Sequence, residues 1–212
     1  MTAVLDRFTD GGDVDFAGKG LWEQLINHPN GAALFDRVRR AYPQSPIAPF
    51  YQKHLAAELL REFVPAEVWS AYFKFAVVRN PWDRVVSLYT FHEDQFWGDS
   101  TLRGHHDRGA LFERCSTFDE FVRLLPFLAF PDQATFVTDD KGTIIVDFVG
   151  RFERLESDFA LICRRLGVDG GLPHLNRTRR SGPGYRDYYT DETRSLVEQV
   201  YRRDVELFGY TF

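Results

Sequence analysis

Two kinds of hydrophobic spacing alternate along this chain. Apolar positions recur at helical intervals over Leu21–Asn27 and Ala32–Ala41, and Pro29-Asn30-Gly31 separates the two stretches. Before them, residues 1–18 are polar and rich in Gly and Asp, and read as an irregular N-terminal segment. Pro43, Pro46 and Pro49 mark an extended connection, because proline fixes φ and biases its predecessor away from helix. His54–Phe63 reads as a helix with Leu55, Leu59 and Leu60 on one face, and Pro65 opens a short helix through Trp69. Phe73–Val78 (FKFAVV) then changes the pattern to a short apolar run rich in strand formers, the mark of a buried strand. Asn80-Pro81 supplies the N-cap and first residue of a helix carrying Val85, Val86, Leu88 and Tyr89. A capping-box string, Thr117-Phe118-Asp119-Glu120, opens a helix through Leu125. Ile144–Val149 (IIVDFV) is the second buried strand. Helices follow over Glu153–Leu166, closed by Gly167, and over Thr190–Phe208, with Leu196, Val197, Val200, Tyr201 and Val205 inward. Strand–helix alternation of this kind predicts an α/β domain with a small parallel sheet flanked by helices, helix-rich and spanning residues 19–212.

Composition narrows the class. The 212 residues are 44% hydrophobic and 27% charged, enough for one domain with a sizeable core and unlike a disordered, collagenous or coiled-coil chain. Aromatics reach 16%, with 20 Phe, so rings should fill the core or line a pocket. No apolar run approaches the ~18 residues of a membrane span, and the N-terminus does not read as a signal peptide. Two cysteines, Cys115 and Cys163, cannot build a disulfide framework, so a cytoplasmic, reducing location is expected. A net charge of -5 argues against nucleic acid or a membrane surface as partner. The basic residues are 22 Arg and only 4 Lys, and no Lys is followed by Ser or Thr. A Walker A phosphate loop is therefore absent.

Phe75–Tyr89, FAVVRNPWDRVVSLY, is the unit that best carries chemistry. A buried strand ends at Arg79 and a helix begins after Asn80. In open α/β sheets ligands sit at the carboxyl ends of strands, beside helix N-termini. Ser87 lies two turns along that helix, so a guanidinium fork and a hydroxyl can meet one phosphate monoester. The alternative for the same residues is structural: an Arg paired to a neighbouring helix and a Ser that packs. A second cationic cluster, Arg177–Arg186 (RTRRSGPGYR), holds four Arg, no acid and two Gly, and reads as an anion-binding or solvated basic loop.

Arg79, Asn80, Pro81, Arg84 and Ser87 resemble the 3′-phosphate-binding motif of sulfotransferases that use 3′-phosphoadenosine 5′-phosphosulfate (PAPS). Asp147–Asp158 (DFVGRFERLESD), Leu172–Asn176 (LPHLN), Tyr188–Glu192 (YYTDE) and Asp204–Phe212 (DVELFGYTF) are similar to later segments of the bacterial and carbohydrate-type branch. The likeness covers about residues 51 to 212, and several ordered motifs are more specific than one. It implies a three-layer domain related to P-loop kinases, with PAPS as cosubstrate, no metal, and a glycan or small-molecule hydroxyl as acceptor. It also implies that Arg79 and Ser87 hold the 3′-phosphate, with Arg177, Arg179 and Arg180 as further contacts. His54, in KHLAAE, stands where carbohydrate sulfotransferases carry a histidine that can take the acceptor proton. Glu58 is the weaker alternative. Of the other histidines, His92 and the His105-His106 pair could face an acceptor, while His174 reads as structural. Glu153, Glu156 and Asp158 read as helix N-terminal charges that pair with Arg. No His, Cys and Asp spacing suggests a metal site.

One family element is not found. PAPS sulfotransferases carry a P-K-x-G-x-T/S loop whose Lys and backbone N–H groups cradle the 5′-phosphosulfate and stabilise charge on the bridging oxygen. The nearest string is DFAGKGLWE, Asp15–Glu23, with Lys19 between two glycines; Lys53 is a second substitute. The chain therefore reads as an active enzyme with a divergent 5′-site, as one truncated at its N-terminus, or as a catalytically inactive nucleotide-binding relative. A missing first strand would leave an exposed sheet edge that invites a homo-oligomer.

Overall fold

The computed structural model of the chain describes residues 56–63, 66–92, 115–128, 130–169 and 184–212. Its elements in order are α1 (Ala57–Phe63), α2 (Ala66–Ala71), β1 (Phe75–Val78), α3 (Pro81–His92), α4 (Phe118–Leu128), β2 (Phe148–Arg151), α5 (Leu155–Leu166), α6 (Asp191–Val200) and α7 (Arg202–Phe208), joined in places by short 3-10 turns. The described chain is thus helix-rich, and β1 and β2 form a small parallel sheet flanked by helices, the α/β arrangement that the alternation predicts. It divides into two compact units, one holding residues up to Val77 together with the stretch from Thr135, and one holding Val78–Ala134 and the C-terminal helices.

In the first unit α5 packs on β2. Phe159, Ile162 and Cys163 fall three and four residues apart, so they share one helix face, and Phe73, Phe75, Phe148 and Val168 pack against it. Glu156 and Asp158 stand in the first turn of α5 and Arg164 and Arg165 in the last, matching the helix dipole. Gly167 ends the helix at φ 68°, the left-handed conformation glycine adopts most readily, and the Val168 N–H donates back to the Cys163 carbonyl at 3.0 Å. Asp158 is buried and accepts from the Arg151 N–H at 2.7 Å, which ties the end of β2 to the start of α5.

The second strand is displaced from its expected span. Ile144 and Ile145 belong instead to a small antiparallel excursion, in which Thr138 bridges Ile144 and the Ile145 N–H donates to Val137 at 2.9 Å. Asp139 makes the turn by accepting from the N–H groups of Lys141 and Thr143 at 3.1 and 2.8 Å. Asp147 then meets Lys74, whose ammonium lies 2.8 Å from its carboxylate and also donates to the carbonyls of Trp69 and Tyr72. The sheet itself starts only at Phe148.

The second unit is built around α3. Trp82, Val85 and Val86 are fully buried, and each such side chain contributes about 1.5–3 kcal/mol of burial. α3 packs on α4, on α6 and on the 3-10 turn Tyr185–Tyr188. Phe121, Val122 and Leu125 are the α4 side of that core, and Val197 the α6 side. The expected capping box at Thr117 is half formed: its hydroxyl accepts from the Glu120 N–H at 3.3 Å, while the Glu120 carboxylate reaches the N–H of Ser116 at 2.6 Å. Thr190 and Thr193 form a full capping box on α6. The long final helix expected over Thr190–Phe208 is two helices, broken at Tyr201 with φ -109° and ψ 33°.

Among the described glycines, Gly150 is the most tightly packed. A Cβ there would come within 3.2 Å of the Phe148 ring, 3.3 Å of the Asp158 Cβ and 3.5 Å of Val77. Two of these neighbours belong to a paired strand and a helix start that cannot yield far. Gly150→Ala is expected to lower the unfolding free energy by about 1–3 kcal/mol in urea titration, and an unchanged midpoint would show that the strand–helix junction relaxes freely.

Candidate functional site

The site is assembled at the carboxyl end of β1. The strand stops at Val78, and Arg79 and Asn80 carry the chain into α3. Asn80 is the N-cap that the sequence predicts: its Oδ1 accepts from the N–H groups of Trp82 at 3.0 Å and Asp83 at 3.5 Å. Its Nδ2 donates to the Thr211 carbonyl at 2.9 Å, so the cap also holds the C-terminal residues. Trp82 continues this anchoring. The indole N–H donates to the Arg194 carbonyl at 2.9 Å, and the Trp82 carbonyl accepts from the Tyr189 hydroxyl at 2.8 Å. The Phe212 ring lies edge-on to Trp82, Tyr185 and Tyr189, within 5.8 Å of each.

Arg79 projects from this rigid corner, half-buried. Its Nε donates to the Asp83 carboxylate at 2.5 Å. Arg79 precedes α3, while Asp83 and Ser87, four residues apart within it, share one row of the helix. Ser87 is half-buried, and Thr90 donates to its carbonyl at 3.3 Å. A guanidinium and a hydroxyl are the donor types suited to a phosphate monoester.

Arg84 faces another direction. One terminal nitrogen donates to the Pro131 carbonyl at 3.0 Å, the other lies 3.9 Å from Asp204, and the guanidinium stands 5.3 Å over the Tyr201 ring. Asp204 has no solvent exposure. Its carboxylate accepts from the N–H groups of Gln133 at 2.9 Å and Ala134 at 2.7 Å, and from the Gln133 side chain at 3.2 Å. Burial pushes this carboxyl above the ordinary range, and the N–H donors and Arg84 pull it back only in part. Gln133 and Asp83 were not marked by any sequence signal, while Asp204 lies in the DVELFGYTF segment without an assigned role.

Arg79 thus stands at the end of β1 and Ser87 on α3. Lys19, Lys53, His54, His105, His106, His174, Arg177, Arg179 and Arg180 lie outside the described residues. His92 is the last residue of α3. Glu58 accepts from the Asp140 N–H at 3.0 Å and stands 3.9 Å from Arg61, which makes it a support for the turn at Asp139–Gly142. Of the phenylalanines on α4, Phe118 and Phe121 are core, while Phe127 is 77% exposed. Among the described residues no His, Cys, Asp and Glu group is arranged to hold a metal ion, and no helix is long and apolar enough to cross a membrane.

The sulfotransferase family model matches residues 48–211, and the chain belongs to that family. Two curated proteins are similar. An uncharacterized protein of Archaeoglobus fulgidus is 29% identical over 117 residues, covering 54% of this chain and 83% of that one. Carbohydrate sulfotransferase 11 of Rattus norvegicus is 22% identical over 221 residues, covering 90% of this chain and 61% of its own length. No solved structure matches the chain significantly.

One feature of the Arg84 neighbourhood is testable by itself. The Tyr201 hydroxyl is fully buried without a hydrogen-bond partner among the described residues, and burial pushes its pKa up to about 12. Tyr201→Phe removes an unsatisfied group and keeps the ring under Arg84. The variant is expected to melt at the wild-type temperature or above it; a loss greater than about 1 kcal/mol would mean that the hydroxyl has a partner in solution.

Proposed function

We propose that this chain is a PAPS-dependent sulfotransferase of the carbohydrate-type branch, its catalytic domain spanning residues 19–212. The observation that carries the reading is the cation Arg79 at the end of β1, just before the α3 helix that bears Ser87, within a chain of the sulfotransferase family. In this reading Arg79 and Ser87 hold the 3′-phosphate of the nucleotide, and Arg177, Arg179 and Arg180 add contacts to it. PAPS supplies an activated sulfuryl group. His54 takes the proton of the acceptor hydroxyl as its oxygen bonds to sulfur. The bond from sulfur to the bridging oxygen breaks, and that oxygen leaves on adenosine 3′,5′-bisphosphate. Lys19 stabilises the charge on the leaving oxygen. The acceptor is a glycan or small-molecule hydroxyl, and the reaction needs no metal. The carbohydrate part of the reading is supported by the similarity to the rat carbohydrate sulfotransferase, of whose length the chain spans 61%. Cytoplasmic location remains the expectation from cysteine usage alone.

A second reading has its own support. No P-K-x-G-x-T/S string occurs in the sequence, so a protein that binds the nucleotide without transferring sulfate is the alternative.

Calorimetric titration with adenosine 3′,5′-bisphosphate tests the shared part. The wild type is expected to bind, Arg79→Ala to weaken binding by about 30–100-fold, and Ser87→Ala by about 5–10-fold. An intact chain that does not bind the nucleotide would sink both readings. Transfer of labelled sulfate from PAPS to a panel of glycans and phenols then separates them, since the second reading gives binding and no product.

A further inference from the structure

β1 ends one residue before Arg79, and Gln133 pairs with the Arg79 peptide groups. Its Oε1 accepts from the Arg79 N–H at 2.8 Å, and its Nε2 donates to the Arg79 carbonyl at 2.7 Å. A single side-chain amide thus pairs with both peptide groups of one residue, as a neighbouring strand would. The same Nε2 also donates to Asp204 at 3.2 Å, and the Gln133 N–H donates to Asp204 at 2.9 Å. The amide is therefore held from behind by a carboxylate that has no solvent exposure. Asp204 itself is held by the Ala134 N–H at 2.7 Å.

This clamp restrains Arg79 at its backbone, where the direction of the side chain is set. Asp83 restrains the same residue at its guanidinium, through Nε. With both ends held, the cation is preorganised, so less conformational freedom is lost when an anion binds. Asn80 fixes the start of α3 by capping it.

We propose that Gln133, braced by Asp204, is a positioning residue for Arg79 and through it for recognition of the nucleotide 3′-phosphate. The proposal rests on the assignment of Arg79 to that phosphate. Its chemistry is narrow: the amide needs one acceptor and one donor at a fixed spacing. A carboxylate, a thioether or a shorter amide cannot supply the same pair.

The test compares two nucleotides on the intact chain, adenosine 3′,5′-bisphosphate and adenosine 5′-monophosphate, which lacks the 3′-phosphate. Gln133→Met keeps the volume and removes both bonds. It is expected to weaken binding of the bisphosphate about tenfold and binding of the monophosphate less than twofold. Arg79→Ala, measured alongside, should abolish the preference for the bisphosphate. If Gln133→Met does not fold, as judged by circular dichroism and melting, Gln133→Asn is read in the same way. Equal losses for both nucleotides, or none, would overturn the positioning role while leaving the Arg79 assignment intact. An Arg79→Ala variant that keeps the wild-type preference would overturn the assignment itself, and this proposal with it.

Discussion

The second unit depends on one buried carboxylate. Asp204 has no solvent exposure, and removing a carboxylate from water costs several kcal/mol unless donors replace the water. Here two backbone N–H groups, the Gln133 amide and the Arg84 guanidinium surround it. Three of these come from the adjacent residues Gln133 and Ala134, beyond α4, and Arg84 comes from α3. The carboxylate joins α7 to α3 and to the strand-end residue beyond β1. Burial keeps its pKa above the ordinary carboxylate range, with the N–H donors and Arg84 acting the other way.

The same constraint explains the break in the last helix. A continuous α-helix over Thr190–Phe208 satisfies the local hydrophobic spacing. Tyr201 leaves helical geometry so that its ring lies under Arg84, and Asp204 reaches Gln133 and Ala134. The break is confined to Tyr201, whose N–H still donates to the Val197 carbonyl and whose carbonyl still accepts from the Val205 N–H, so it costs little. Local spacing records which residues face inward; it does not record where a buried charge must find its donors.

Around Arg79 the electrostatics are balanced before any ligand arrives. Asp83 holds Nε and lowers the cost of keeping a half-buried guanidinium at the helix entrance. Asn80 fixes the helix start, and the Trp82 and Phe212 ring contacts fix the helix against the C-terminal residues. The chain spends its polar side chains on orientation at this corner, and the rings supply the rigidity that makes orientation useful.

Much of this was legible in the residues. Asn80 and Pro81 announce a helix start, Gly167 a helix end, and the apolar run before Arg79 a buried strand, because each depends on interactions within a few residues. The ordered motifs likewise point to the sulfotransferase family that the family model matches. The sequence pattern places the second strand about four residues early, because Ile144 and Ile145 look like strand formers in any context, and the turn at Asp139 and the Lys74–Asp147 pair divert them. Gln133 carried no signal at all, since a glutamine after Pro131-Asp132 is ordinary in sequence. The sequence by itself determined the helices' caps, the family and the position of Arg79 at a strand end, all set by neighbours along the chain. Only the tertiary structure decided what holds Arg79 in place. That hold comes from Gln133, 54 positions away, and from Asp204, 71 beyond it, and hydrogen bonds over such separations leave no local pattern.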